Sequence, residues 1–496
     1  MAKKDNRIKY NLLSGMAYQI ILIALSFLLP RLYLENFGSE VNGVLSTIKQ
    51  IFTYMTLLEA GIGLATTQAL YKPVAENDRS SVSAVISATH LFYRRTGVIY
   101  AAIVVVLATV YAFVIPTGME PLVVFTIVIL TALPVLFSYF IQAKYRILLE
   151  VDGRKYVITN SETVLQLLAN AGKILVLLLS DSLVLMQTVY CALSLMQLGY
   201  VYIQAKRRYP WLNIKTKPNF EAISQSKSVL VHQISGMVFN NTDALLLSVL
   251  CDFKVVSVYT IYNIFFSQVQ MFITNITSGF SFALGQMFHT DRQRFLRVFR
   301  VYETFYIMAT FIIYTLMAVF LLPLIQIYTK GIDDANYTNV YLVLLFAVMN
   351  LLANGKLPFN HVLEFAGKFE QTRSHAIWEM AINLTVSVFA ILKWGICGAL
   401  VGTIAALIYR SVVSIHFANR KVLDRSVMQT YKHWLVNGAV FGYVMAIFFV
   451  DSFSGLPFGK LLIQGIIHSL WILPLYVGVN FVFFKDAFQI LWRKQM

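Results

Sequence analysis

Residues 122–143, LVVFTIVILTALPVLFSYFIQA, run without a charged side chain and lead directly into KYRILLEVDGRK over 144–155. An apolar helix of that length crosses the roughly 30 Å hydrocarbon core of a bilayer. The cluster of Lys and Arg that follows marks the end retained on the cytoplasmic side. Windows of the same kind recur along nearly the whole chain, so the sequence reads as a polytopic membrane protein. Composition agrees. Hydrophobic residues make up 58% of the 496 and charged residues 13%, about half the usual charged share, and the mean hydropathy is +0.67.

Fourteen spans are predicted, at 10–30, 43–70, 96–115, 122–143, 156–180, 183–204, 228–250, 255–288, 301–329, 338–362, 375–392, 395–416, 434–451 and 461–484. Basic residues in short loops stay cytoplasmic, which tests this count. The N-terminal tail, the even-numbered connections and the C-terminal end hold 31 of the 40 Lys and Arg residues, against five on the other face: Arg31, Lys254, Lys330, Lys393 and Lys460. Both termini are therefore expected in the cytoplasm. The net charge of +16 sits in juxtamembrane loops suited to an anionic leaflet, which argues against nucleic acid as a partner. Cys191, Cys251 and Cys397 lie within or beside spans and suggest neither a disulfide framework nor a metal site. The first span lacks a small-residue cleavage pattern, so it is not read as a removable signal peptide.

Ser14-Gly15-Met16 recurs as Ser235-Gly236-Met237, and Gly61 and Gln68 recur as Gly279 and Gln286 at a nearly equal offset. With the matching span lengths this favours an all-α architecture of two pseudo-symmetric six-helix lobes around a central cavity, plus two C-terminal helices. The lobes are residues 1–204 and 228–416, joined by a basic linker at 205–227, with the last two spans and a tail at 417–496.

A cavity lining shows as polar stripes at helical spacing. Span five carries Thr159, Glu162, Gln166, Asn170 and Lys173 along one face. Span two places Lys49, Thr53, Thr56, Gly63 and Thr67 together with Glu59 nearby; span seven has His232, Gly236, Asn240 and Asp243; span ten has Asn350, Asn354, Pro358 and His361; span eleven has Glu379, Asn383 and Ser387. The neutral residues read as interhelical hydrogen-bonding groups. Burying Lys49, Lys173, Glu162 or Asp243 costs at least ~2.5 kcal/mol on insertion scales, so these need water or a partner and point to a cavity. Lys356 and His361 read as side chains snorkelling to the interface.

The segments FGSEVNGVLSTIKQIF (37–52), YMTLLEAGIGLATTQALYKPVAEND (54–78) and YRILLEVDGRKYV (145–157) resemble the polysaccharide flippases of the multidrug/oligosaccharidyl-lipid/polysaccharide exporter superfamily. The similarity is greatest to Gram-positive capsule-type members. The resemblance implies translocation of undecaprenyl-diphosphate-linked oligosaccharide to the outer leaflet of the bacterial plasma membrane, for capsule, O-antigen or teichoic acid. A diphosphate needs cations to replace its hydration, and sugar hydroxyls suit amides and hydroxyls. Lys49 and Lys173 are the diphosphate candidates, with Gln166, Asn170 and Glu162 beside them and Arg31 entering late.

No GxxxxGK[ST] loop is present, so an ion gradient is the expected energy source. In the lipid II flippase branch a sodium ion is held by spans seven, eleven and twelve. Asp243, Asn383 and Thr403 match those positions, with the Ala399 carbonyl as a further ligand, and hard oxygen donors suit a small cation. The departure is Ser387, which stands where that branch has a second carboxylate; Glu379, one turn from Asn383, is the substitute considered. Sodium and proton coupling both stay open, as does a purely structural Asp243 bonded to Asn240 or His232.

Two other functions are weighed. A drug/cation antiporter of the same superfamily would favour an acidic and aromatic cavity. A membrane glycosyltransferase or polymerase would need a large outer loop, whereas the outer connections here are short. The chain is therefore not expected to be an enzyme. The linker AKRRYPWLNIKTKP (205–218) is expected to lie on lipid headgroups with Trp211 at the interface, rather than to dock a polysaccharide assembly protein.

Overall fold

The computed structural model describes residues 2–492 except 60–61, 142, 181, 224–226, 449–452 and 454. Gly61 and the side chains of Ser14, Met16, His232 and Asn240 lie outside the described residues. Every regular element among the described residues is helical.

In chain order they are α1 (Ala2–Met55), a 3₁₀ turn (Thr56–Glu59), α2 (Ile62–Ala75), α3 (Arg79–Phe113), α4 (Pro121–Ile141), α5 (Ala143–Val151), α6 (Lys155–Leu179) and α7 (Leu183–Arg208). They continue with α8 (Lys227–Leu250), α9 (Phe253–Thr290), α10 (Arg292–Tyr328), α11 (Val340–Gly355), α12 (Leu357–Phe365), α13 (Phe369–Trp394) and α14 (Ile396–Phe417). A π-helical turn (Ala418–Leu423), α15 (Met428–Ile447), α16 (Phe458–Phe483) and α17 (Lys485–Trp492) complete the chain. Eight helices among the described residues are long and apolar enough to cross a membrane. The chain is an all-α polytopic membrane protein of about fourteen spans. It forms two compact units, residues 1–234 and 235–496.

Three departures from the sequence reading have physical causes. The loop expected between the first two spans is a kink inside α1 at Gly38, whose φ of 80° and ψ of 179° suit glycine. The second span is interrupted by the 3₁₀ turn ahead of Ile62. The tenth is broken between Gly355 and Leu357, where Pro358 cannot continue the hydrogen-bond ladder of α11.

The linker docks on the first turns of α3, because the peptide groups of an irregular segment must find partners. Ser87 donates to the carbonyls of Ile214 and Thr216 at 3.0 and 2.8 Å. The Asn219 N–H donates to the Ala84 carbonyl at 3.1 Å, and the Arg79 guanidinium sits 5.4 Å from the centre of the Trp211 ring. Asp78 starts α3 by accepting the Ser80 and Ser81 N–H groups. Hydrogen bonds from Ser81 first, then Ser80, draw its carboxyl down to about 2, so the cap stays ionised.

Within residues 235–496, buried hydroxyls and amides join helices that have little hydrophobic drive to associate in lipid. Thr315 of α10 and Tyr476 of α16 share a 2.7 Å hydrogen bond. Asn437 of α15 and Asn480 of α16 exchange amide hydrogen bonds at 3.2 and 2.8 Å.

Candidate functional site

In residues 235–496 the polar stripes of α8, α13 and α14 meet because α13 and α14 pack backbone to backbone. A Cβ on Gly402 would lie 2.1 Å from Ser387 Oγ and 2.6 Å from its N, and one on Gly398 would lie 2.2 Å from the Ala390 carbonyl carbon and oxygen. Small residues one turn apart permit this approach. Gly398→Ala is expected to force the helices apart at a cost of ~1–3 kcal/mol, read as a lower melting temperature. An unchanged melt would show that the contact can relax.

Asp243 on α8 is buried, as are Asn383, Ser387, Ala399 and Thr403. Its carboxylate accepts from Thr403 Oγ1 at 2.9 and 3.2 Å and from the Tyr259 hydroxyl at 3.2 Å. Asn383 Nδ2 donates to Thr403 Oγ1 at 2.8 Å. Ser387 Oγ donates to the Ala399 carbonyl at 3.4 Å. Three of the four residues matched in sequence, Asp243, Asn383 and Thr403, thus come together, while the Ala399 carbonyl is bonded by Ser387.

Asn383 Oδ1 is buried without a hydrogen-bond partner. An orphaned amide oxygen beside a carboxylate and a hydroxyl fits a small hard cation. One carboxylate among neutral amide and hydroxyl oxygens is a donor set that suits a monovalent ion or a proton.

Glu379 does not belong to this set. Lys356 Nζ lies 2.6 Å from its Oε1 and Arg410 Nε 3.5 Å from its Oε2, all three side chains being 11–13% exposed. Two cations occupy the carboxylate that was to replace the missing ligand. Lys356 accordingly does not snorkel: it is held inside by Glu379.

In residues 1–234, α1 packs on α6 and brings Lys49 and Lys173 within electrostatic reach of each other. Lys49 is exposed and Lys173 half-buried, with the Lys173 ammonium 4.8 Å from the centre of the Tyr190 ring. Asn170 donates to the Gln166 carbonyl and, at 3.4 Å, to Gln166 Oε1, while its own Oδ1 is buried without a partner.

Two further candidates carry ion-pair partners of their own. Glu162 lies 2.6 Å from Arg146, and eleven residues separate it from Lys173, roughly 16 Å along a helix. Arg31 pairs with Glu35, one turn on, at 2.6 Å.

Sequence reasoning missed Tyr259, Arg410 and a buried network on α10. Glu303 is 1% exposed on its side chain and lies 2.5 Å from Arg425 Nη2. Thr430 donates to its other oxygen at 2.7 Å, and Arg425 Nε donates to Asn419 Oδ1 at 2.6 Å. A glutamate at the mouth of a predicted span was the available signal.

No protein-family model matches the sequence, and no curated protein matches it. Solved transporter structures do match in fold. Lipid II flippase MurJ, in an inward closed conformation, superposes with a TM-score of 0.62 at 14% identity, covering 97% of this chain and all of the other. An inward-facing multidrug resistance MATE family transporter of the MOP superfamily gives 0.61 at 12% identity, over 84% of this chain and 96% of the other. A Vibrio cholerae MATE transporter gives 0.51 at 14% identity, over 86% and 99%. The chain therefore has the fold shared by MATE transporters and the lipid II flippase.

Proposed function

We propose that the protein is a flippase that carries undecaprenyl-diphosphate-linked oligosaccharide from the cytoplasmic to the outer leaflet of a bacterial plasma membrane by alternating access. Its product would serve capsule, O-antigen or teichoic acid synthesis, its termini would be cytoplasmic, and it would perform no covalent chemistry. The observation that carries this reading is that α1 and α6, which bear Lys49 and Lys173, pack together and bring the two lysines within electrostatic reach. Two neighbouring ammonium groups at membrane depth repel each other and are costly unless an anion joins them. A diphosphate supplies that anion, and Gln166 and Asn170 offer donors and acceptors for sugar hydroxyls on the same helix.

The Asp243 cluster would hold the coupling ion. A sodium ion bound by Asp243, Asn383 and Thr403, or a proton on Asp243, would cancel its charge. A drug/cation antiporter is the second reading, favoured by the MATE fold and by Glu59, an acidic side chain in the interrupted second span.

Reconstitution in liposomes carrying labelled undecaprenyl-diphosphate oligosaccharide tests the choice. Protein-dependent appearance of intact label on the opposite face is expected. Export of an organic cation without lipid translocation would replace the flippase by the antiporter, and elongated glycan would indicate an enzyme. Asp243→Asn is expected to remove the dependence of transport on a sodium or proton gradient. Retained dependence would place coupling elsewhere.

A further inference from the structure

The loop and tail residues counted above, 31 on one face and five on the other, leave four of the 40 basic residues inside spans: Lys49, Lys173, Lys356 and Arg410. Two of these form the pair in residues 1–234. The other two meet in residues 235–496, where Lys356 and Arg410 flank Glu379 at 2.6 and 3.5 Å. Among the described residues Glu379 is the one carboxylate within ion-pair distance of either, so one carboxylate there faces two cations.

The surroundings suit an amphipathic anion. The Lys356 ammonium lies 5.5 Å from the centre of the Phe239 ring. Phe239 and Glu379 each stand four residues before Asp243 and Asn383, about 6 Å along the helix. An anion at the cluster would therefore sit about one turn from the candidate ion site.

We infer that Lys356 and Arg410, held over Glu379, form an anion subsite that takes the phosphate end of a lipid-linked diphosphate. This rests on the cargo class proposed above. Arg410 supplies a planar donor pair and Lys356 a point charge, and Glu379 limits the net charge so that cargo is released as well as bound.

The test uses the full chain in zwitterionic nanodiscs and follows binding of farnesyl diphosphate by tryptophan fluorescence. Arg410→Gln leaves the shorter Lys356–Glu379 pair in place and removes the second cation, so affinity is expected to fall at least tenfold. Glu379→Gln frees both cations and is expected to tighten binding. A residue that only holds helices together would not give opposite signs at these two positions, and Arg410→Gln decides the matter even if Glu379→Gln does not fold.

Farnesol, inorganic pyrophosphate and nanodiscs containing phosphatidylglycerol separate the ligand sources. Pyrophosphate bound as tightly as farnesyl diphosphate, or full displacement by phosphatidylglycerol, would overturn the assignment to a lipid diphosphate. Wild-type affinity in both variants, with loss in K49Q/K173Q, would overturn this subsite and leave the proposed cargo standing. Absence of farnesyl diphosphate binding in every form would overturn the cargo and the subsite together.

Discussion

Replacing Lys49 and Lys173 together by glutamine is expected to lower translocation of lipid-linked diphosphate by two to four orders of magnitude. Each ammonium contributes a charge-assisted hydrogen bond of about 1.5–3 kcal/mol to an anion, and ~1.4 kcal/mol is a factor of ten. The fold should survive, because among the described residues neither lysine has a carboxylate at ion-pair distance, and the two repel each other. Removing mutually repelling charges relieves the protein rather than orphaning a partner. Liposome transport and thermal melting, measured side by side, check both halves. Wild-type transport in K49Q/K173Q would end the diphosphate assignment.

Arg425→Met is expected to have the largest effect on stability, a loss of about 3–5 kcal/mol. It strips the guanidinium from Glu303, leaving a fully buried carboxylate with the Thr430 hydroxyl. It also releases Asn419, which anchors the π-helical turn leading out of α14. Glu303→Gln should cost less, since an amide still accepts from Thr430 and needs no counter-charge. Thermal unfolding of the purified protein ranks the two. Equal melting of Arg425→Met and wild type would show that the pair does not contribute to stability.

Much of the fold was legible because a bilayer demands long apolar helices, and the run 122–143 announces one without help from its neighbours. What escaped depended on single backbone positions. Gly38 turns the chain without ending α1, and Gly355 with Pro358 breaks a span that hydropathy alone reads as continuous.

At the candidate site, Asp243 and Asn383 were readable because each sits at helical spacing within an otherwise apolar span, whereas Thr403 and the Ala399 carbonyl were singled out only by the resemblance to the lipid II flippase branch. Glu379 shares that spacing, yet its partners Lys356 and Arg410 come from other helices, and no periodicity along α13 reveals them. Tyr259 was hidden for the same reason. It reaches Asp243 across the α8–α9 hairpin, a distance set by packing.

The turn between α13 and α14 carries a consequence for biosynthesis. A single residue, Gly395, with φ 53° and ψ −128°, separates Trp394 from Ile396. Few side chains tolerate that backbone conformation. With so short a connection the two helices cannot enter the bilayer one after the other, each waiting for its own stop signal. Entry as a closed hairpin, with the Gly398 to Gly402 contact formed early, is the route that so short a turn favours. Only Lys393 burdens the tip, and its ammonium folds over the Trp394 ring at 5.3 Å. The candidate ion site would thus acquire its α13 and α14 residues in one insertion event.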